Sequence, residues 1–194
     1  MKGEAKENYD AIRMDLIRVH ANWQLFTKLF ATSDHNYPIM NNTAPGFFKL
    51  IQDVLVDDAV VSLTRLTDRP TYVTLSRLVK NLKAQVDHEF HAELIKDLDE
   101  LRAMCADIRE HRNKRVVHKA RMSNPPVLAG VPQRLPALTR QKIEGAMKAA
   151  AALMNKVLGH FENIEQYYDP VIATGAEPLL AYLKEGYNTS ARRL

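Results

Sequence analysis

The sequence predicts an all-α protein, an antiparallel bundle of four to five main helices followed by a short C-terminal helix. Two observations predict this class. Long stretches place apolar residues at alternating spacings of three and four, which puts them on one face of a helix. The runs with strand-like composition, "VVSL" and "YVTL", are short and lie inside stronger helical patterns. At 194 residues the chain can fill one sizeable core.

The first two predicted helices lie on either side of a polar, proline-containing break. The first covers residues 4–32. Its apolar stripe consists of Tyr9, Ile12, Leu16, Val19, Trp23, Phe26 and Phe30. The stretch "TSDHNYPIMNNTAP" then interrupts the pattern with polar turn formers and two prolines. Pro45 can begin the second helix, which runs to Asp68 and is apolar on more than one face, as expected of a central helix.

Two more helices and a loop are predicted in the middle of the chain. Thr74 offers an N-cap for the short helix "LSRLVKNLK". A long fourth helix covers residues 87–119. Four of the nine prolines then follow within fifteen residues, so residues 122–137 are predicted to form a loop.

The C-terminal third is predicted to hold one long helix and one short one. The long helix covers residues 139–167 and is stopped by Asp169-Pro170. Its stripe consists of Ile143, Met147, Ala150, Met154, Val157, Phe161 and Ile164. Thr174 and Glu177 have capping-box spacing for a short helix around "PLLAYLKEG", and "YNTSARRL" is predicted to be a tail. We therefore divide the chain into a helical domain, residues 1–168, and a C-terminal helix with a tail, residues 169–194.

Composition predicts a soluble protein of a reducing cytoplasm, without a membrane segment. The single cysteine cannot form an intramolecular disulfide. The first ten residues, "MKGEAKENYD", lack the apolar core of a signal peptide, and no apolar run approaches the length of a membrane span.

Positive charge is concentrated in one segment. The net charge of +4 is mild for the whole chain and does not by itself indicate nucleic acid as a partner. Residues 107–121, however, hold six basic residues against two acids, a local excess of +4 in about four helical turns. The six are Arg109, Arg112, Lys114, Arg115, Lys119 and Arg121.

An arginine occupies the next position of a buried stripe on the fourth helix. The stripe consists of Leu94, Leu98, Leu101, Cys105 and Ile108. Arg112 continues its register and is predicted to face inward, while His111, Arg115 and His118 form a neighbouring stripe. Because arginine stays protonated, its guanidinium must meet an acid, an anion or water in a cleft.

Two interpretations of this arginine are open. A structural arginine would reach out to solvent at the helix end, where basic residues are favoured by the helix dipole, or would pair with Asp57 or Asp58 of the second helix. A functional arginine would instead bind an anion in a groove.

A second candidate site, for a metal ion, is formed by His88 and His91 in "DHEFHAE". It lacks the second ligand cluster that a metal site in a helical bundle needs.

The segment "RNKRVVH" resembles the signature of the HEPN superfamily of helical proteins. That signature is an arginine, usually followed by Asn, Asp or His, and then a histidine four to six residues further on. Arg112, Asn113 and His118 fill these places here, with five residues between the arginine and the histidine. The words "LTRLTD", "TLSRLVKNL" and "IREHRNKRVVHK" resemble the abortive-infection branch in particular, and the resemblance covers about residues 5–165.

The resemblance implies a HEPN-like bundle and a metal-independent endoribonuclease, a toxin or anti-phage effector, with its site at a two-fold dimer interface. It makes Arg112, His118 and Asn113 the expected catalytic residues, with no cofactor and no metal. RNA-binding residues would be Arg109, Lys114, Arg115 and Lys119. His111 and Asp58 are candidate auxiliary residues. The expected partners are RNA, a second copy of the chain, and an antitoxin or regulatory protein.

Helix geometry agrees with a dimeric site. On a straight helix Arg112 and His118 are about 9 Å apart along the axis and roughly 120° apart around it, so one chain does not bring them together. Two copies packed about a two-fold axis would. The alternative hypothesis is a non-catalytic dimeric helical scaffold or RNA-binding interaction module, in which the motif only stabilises the interface.

Overall fold

A computed structural model describes residues 1–31, 36–68, 73–123, 138–169 and 175–191, with the side chains of residues 116–123 and 190–191 left out. These residues form eight helices and no strand. In chain order they are α1 (Glu4–Phe30), α2 (Asn36–Thr43), α3 (Pro45–Thr67), α4 (Leu75–Leu82), α5 (His88–Met104), α6 (Ala106–Ser123), α7 (Arg140–Glu162) and α8 (Ala176–Ala191). The predicted all-α class is confirmed, with more helices than predicted.

Several predicted helix boundaries are confirmed by local hydrogen bonds. α3 begins at Pro45, as predicted. The Thr74 hydroxyl accepts a hydrogen bond from the Arg77 amide at 3.2 Å and caps α4. Asp87 caps α5 in the same way, since its carboxylate accepts from the Phe90 amide at 2.8 Å. The Thr174–Glu177 capping box cannot be compared, because Thr174 lies outside the described residues.

The break predicted between the first two helices is wrong in part, because it contains α2. Pro38 lies in the first turn of α2, where a missing N–H costs no helical hydrogen bond. Ile39 and Met40 are buried, and the Tyr37 hydroxyl donates to the Phe30 carbonyl at 2.6 Å. The burial of Ile39 and Met40 and the hydrogen bond of Tyr37 thus stabilise a helix in a segment whose composition indicates a loop.

The predicted fourth helix is interrupted at Cys105, which separates α5 from α6. The Cys105 amide still donates to the Leu101 carbonyl at 3.0 Å, and its carbonyl accepts from the Arg109 amide at 2.9 Å. Because only one residue departs from helical geometry, the predicted stripe stays continuous and buried across the break, from Leu94 to Ile108.

The last two helices end elsewhere than predicted. α7 stops at Glu162, because Asn163 adopts the left-handed conformation with φ 53° and donates its amide to the Gly159 carbonyl. Ile164, predicted in the buried stripe, is therefore 56% exposed. α8 is longer than predicted and takes in part of the expected tail, through Ala191.

The chain divides into two compact units, which we describe separately. The first comprises Met1–Leu16 and Val60–Gln166. In it α5 packs against α4, α6 and α7 around buried leucines such as Leu78, Leu94 and Leu101. None of the helices in the described part of the chain has the length and hydropathy that a bilayer span requires.

The second unit comprises Ile17–Ala59 and Tyr167–Leu194. Here α2 packs against α8, and the core cluster consists of Leu29, Phe30, Met40, Phe48 and Ala176. Its C-terminal segment begins next to the domain boundary predicted after residue 168, but the unit also includes parts of α1 and α3.

Removing a buried leucine from α5 should destabilise the protein far more than removing an exposed isoleucine. Leu101 is fully buried, whereas Ile95 on the same helix is 43% exposed. We expect Leu101→Ala to lower the free energy of unfolding by about 2–5 kcal/mol, since it leaves a cavity. Ile95→Ala, the control, should cost less than about 1 kcal/mol. Equal losses in urea unfolding of the two variants would contradict this account of the core.

Candidate active site at the end of α3 and on α6

Two arginines of α6 face the last turn of α3 within the first unit. Arg109 and Arg112 are three residues apart and so share one face of α6. Their side chains are 29% and 27% exposed, so each is partly open to water. The facing residues, Thr64, Thr67 and Asp68, belong to the segment "LTRLTD".

Arg112 is held by three contacts. Its Nη1 donates to the Thr64 hydroxyl at 3.0 Å and lies 3.5 Å from Oδ2 of Asp68. Its Nε donates to the Asn113 side-chain oxygen at 3.2 Å. Nη2 makes no hydrogen bond with the residues that the structure describes. The inward-facing position predicted for Arg112 is therefore occupied by a guanidinium whose Nε and Nη1 groups are bound and whose Nη2 group makes no hydrogen bond there.

Arg109 repeats the arrangement one turn earlier. Its Nη2 donates to the Thr67 hydroxyl at 2.9 Å, and its Nε lies 3.4 Å from Oδ1 of Asp68. The two carboxylate oxygens of Asp68 thus face one arginine each. Because the later arginine contacts the earlier threonine, the end of α3 and the start of α6 run antiparallel here.

The two threonine hydroxyls are fixed before they meet an arginine. Thr64 donates back to the Val60 or Val61 carbonyl, at 2.8 or 3.0 Å. Thr67 does the same to its own helix, with the Leu63 carbonyl at 2.9 Å. A hydroxyl has one proton, so each must present a lone pair to its guanidinium. Thr64 is fully buried and Thr67 nearly so, which excludes water as a substitute acceptor.

Further hydrogen bonds tie this turn to α4 and α5. The Ser76 hydroxyl donates to the Asp68 backbone carbonyl at 2.8 Å and accepts from Nη2 of Arg102 at 2.7 Å. Arg102 also donates to Asp99 at 2.9 Å. The backbone that carries Asp68 is therefore anchored independently of the two arginines.

The other residues singled out from the sequence are only partly described. Asn113 is exposed, and Lys114 pairs with Glu110 at 2.5 Å one turn back. His111 is half-buried, with its Nδ1 enclosed and without a hydrogen-bond partner among the described residues. Arg115 is half-buried as well. The backbone of α6 includes His118 and Lys119, but their side chains lie outside the described residues.

Within the first unit the acid beside Arg112 is Asp68. The pairing of Arg112 with Asp57 or Asp58, which belong to the second unit, stays a prediction. Asp58 belongs to the second unit, where it accepts from Arg18 at 2.5 Å and from Asn22 at 3.0 Å. Its role as an auxiliary residue stays a prediction. A polar i, i+3, i+4 stripe at the end of the apolar helix α3 was the available signal for the threonines and Asp68.

Cys105 lies between α5 and α6, one helical turn before Arg109, and is fully buried. Burial raises the pKa of its thiol, because a thiolate would lose its hydration. A hydrogen bond with Thr67 and the positive charge of Arg109 oppose this shift without cancelling it. Cys105 is thus a neutral core side chain rather than a nucleophile.

The histidines of α5 form no metal site in the described structure. Nε2 of His91 lies 3.1 Å from the Val79 carbonyl, and His88 is exposed. Among the described residues, no group of three or more His, Cys, Asp or Glu side chains could hold a metal ion.

Cys105 provides a test of the packing behind the site. We expect the thiol to resist a water-soluble disulfide reagent in the native protein and to react fully in denaturant. The neutral thiol also stabilises the fold in a pH-dependent way. Because the unfolded thiol ionises first, near pH 8.5, stability should fall as pH rises above that value. Cys105→Ser should remove this alkaline loss, and a native thiol that reacts rapidly at pH 7 would contradict the assignment.

Comparison with known proteins places the whole arrangement in one family. No curated protein and no solved structure matches the chain. The family model HEPN_AbiU2, described as AbiU2, matches residues 2–173. The match includes the arginine pair, the "LTRLTD" turn and the Arg-Asn-His motif, and it ends before α8. The chain therefore belongs to the AbiU2 family of HEPN domains, the abortive-infection type.

Proposed function

We propose that this protein is a metal-independent endoribonuclease, an anti-phage effector or toxin that cleaves RNA by transesterification through the ribose 2′-OH. The observation that carries the proposal is the state of Arg112. Its guanidinium is held in place by Thr64 and Asp68, while Nη2 makes no hydrogen bond with a described residue. The Nη2 group of an oriented cation can donate to a phosphate oxygen.

The residues of the motif suit this chemistry. Attack by the 2′-OH needs a group that accepts and returns protons near neutral pH, a task for His118. The pentacoordinate phosphorane gains negative charge, which Arg112 would stabilise. Asn113, beside Nε of Arg112, would orient the phosphate or the histidine. The reaction requires no cofactor and no metal.

The proposed site is completed by a second copy of the chain. On an ideal helix Arg112 and His118 are roughly 120° apart around the axis, and a two-fold axis would bring an arginine and two histidines into one groove. One histidine can then serve as the base and the other as the acid.

Flanking phosphates would be bound by the remaining basic residues of α6. These are Arg109, Lys114, Arg115 and Lys119. The pair between Lys114 and Glu110 is a surface ion pair, worth at most about 1 kcal/mol, so a phosphate can displace the carboxylate. Binding of this kind weakens as salt concentration rises.

A non-catalytic dimeric scaffold or RNA-binding module is the second candidate. The observation that favours it is the ion pair of Arg112 with Asp68, which compensates the arginine charge within one chain. The exposure of the Arg112 and Asp68 side chains, 27% and 41%, argues against this candidate, since a purely structural pair has no need of contact with solvent.

We also propose that this protein acts in the cytoplasm under the control of a second protein. An RNA-cutting effector must meet its substrate in the cytoplasm, and a protein with one buried cysteine suits a reducing compartment. Because free activity would harm the host, we propose control by an antitoxin or another regulatory protein.

RNA cleavage in excess EDTA is the direct test. We expect the purified protein to cut single-stranded RNA and to leave 2′,3′-cyclic phosphate ends. Arg112→Ala and His118→Ala should each lower the rate by about 10²–10⁴-fold, since they remove the charge stabiliser and the proton carrier. The matched controls are Arg77→Ala, a surface arginine of α4, and His88→Ala, an exposed histidine of α5. Folded protein that binds RNA without cutting it would favour the scaffold.

The dimer is tested independently of activity. We expect light scattering to give twice the chain mass of 22.1 kDa at micromolar concentration. Arg112→Ala and His118→Ala should keep that mass if they act in chemistry. A monomer that nevertheless cleaves RNA would exclude the proposed composite site.

A further inference from the structure

The last turn of α3 contributes side chains to the arginines without belonging to the Arg-Asn-His motif. Thr64 and Thr67 of α3 and Asp68, the residue that follows it, are spaced i, i+3 and i+4 and face the same two arginines. We propose that Thr64 and Asp68 are positioning residues that set the orientation of Arg112 for catalysis. This inference rests on the proposed ribonuclease function.

Thr64 supplies a rigid hydrogen-bond acceptor. As a β-branched residue in a helix it has few side-chain rotamers, and its hydroxyl proton is committed to its own helix. The lone pair that remains meets Nη1 of Arg112 at 3.0 Å, a normal hydrogen-bond distance. Because the hydroxyl is fully buried, no water can take its place.

Asp68 keeps two like charges close together. Its carboxylate oxygens lie 3.4 Å from Arg109 and 3.5 Å from Arg112, longer than the threonine contacts at 2.9 and 3.0 Å. The hydroxyls therefore define the geometry, while the carboxylate offsets the repulsion between the guanidiniums. Its backbone is fixed by Ser76 and does not depend on the arginines.

The arrangement leaves one net positive charge for the substrate. Two arginines and one aspartate sum to +1, which balances a phosphodiester of charge −1. The phosphorane gains a second negative charge, so the orientation of the Nη2 group of Arg112 matters more in the transition state than in the bound substrate. Loss of orientation should accordingly lower kcat more than it raises KM.

The experiment compares kinetics of Thr64→Val, Thr64→Ser and Asp68→Asn with those of the parent protein. Valine keeps the shape of Thr64 but removes the acceptor, and we expect kcat to fall by about 10- to 100-fold with KM changed less than threefold. Serine restores the hydroxyl and should recover most of kcat. Asp68→Asn, which keeps the shape of a partly exposed side chain but removes its charge, should lower kcat without raising KM.

Thr27→Val is the matched control, because the Thr27 hydroxyl likewise donates to a carbonyl of its own helix, that of Gln24, and Thr27 belongs to the second unit. It should retain the parent kcat and KM. Parental kcat in both Thr64→Val and Asp68→Asn would overturn the positioning role. So would a higher kcat/KM in Asp68→Asn, which would make Asp68 a competitor of the phosphate. A parent protein that cuts no RNA overturns the proposed function itself and this inference with it.

Discussion

The need to satisfy a permanent positive charge at the end of a buried stripe governs this end of the first unit. Arg112 continues the register of Ile108 and Cys105, both fully buried, and cannot lose its proton. An isolated charge there would cost several kcal/mol. The fold meets the requirement with acceptors from another helix, the hydroxyl of Thr64 and the carboxylate of Asp68. The relative register of α3 and α6 follows from these contacts.

Residues that satisfy a charge can also aim it. A guanidinium whose Nε and Nη1 groups are bound by fixed acceptors presents its Nη2 group in a defined direction. Thr64 and Thr67 are rigid because their own protons are used within α3. The contacts that make the partial burial of two arginines tolerable are therefore the same contacts that would prepare them for a phosphate. Structural and functional interpretations of Arg112 differ only in whether an anion arrives.

Much of the fold follows from local sequence, and the exceptions have physical causes. Apolar spacing predicts the buried stripe from Leu94 to Ile108, and the threonine at position 74 predicts the start of α4. Both features depend on residues within one or two helical turns. The end of α7 depends on Asn163 adopting a left-handed conformation, one choice among several that its sequence allows. α2 depends on burial of Ile39 and Met40 against other elements, which no local pattern encodes.

The candidate site likewise contains residues that local sequence predicts and residues that only tertiary packing brings together. Arg112 and Asn113 are recognisable from spacing within one helix. Asp68 is not, because it precedes Arg112 by 44 positions and meets it only through the antiparallel packing of the end of α3 and the start of α6. The sequence establishes that the guanidinium needs a partner, but the identity of that partner is a tertiary property.

The separation of Thr64 and Asp68 from Arg112 along the chain has a consequence for synthesis. In the described structure α6 itself supplies Arg112 with one acceptor, the side-chain oxygen of Asn113, and the other acceptors come from the end of α3. A nascent chain that has emerged only as far as α3, or a fragment that begins at α5, lacks an ordered pair of guanidiniums. Loop closure between the two segments must come first. The arrangement thus forms only after the end of α3 has packed against α6.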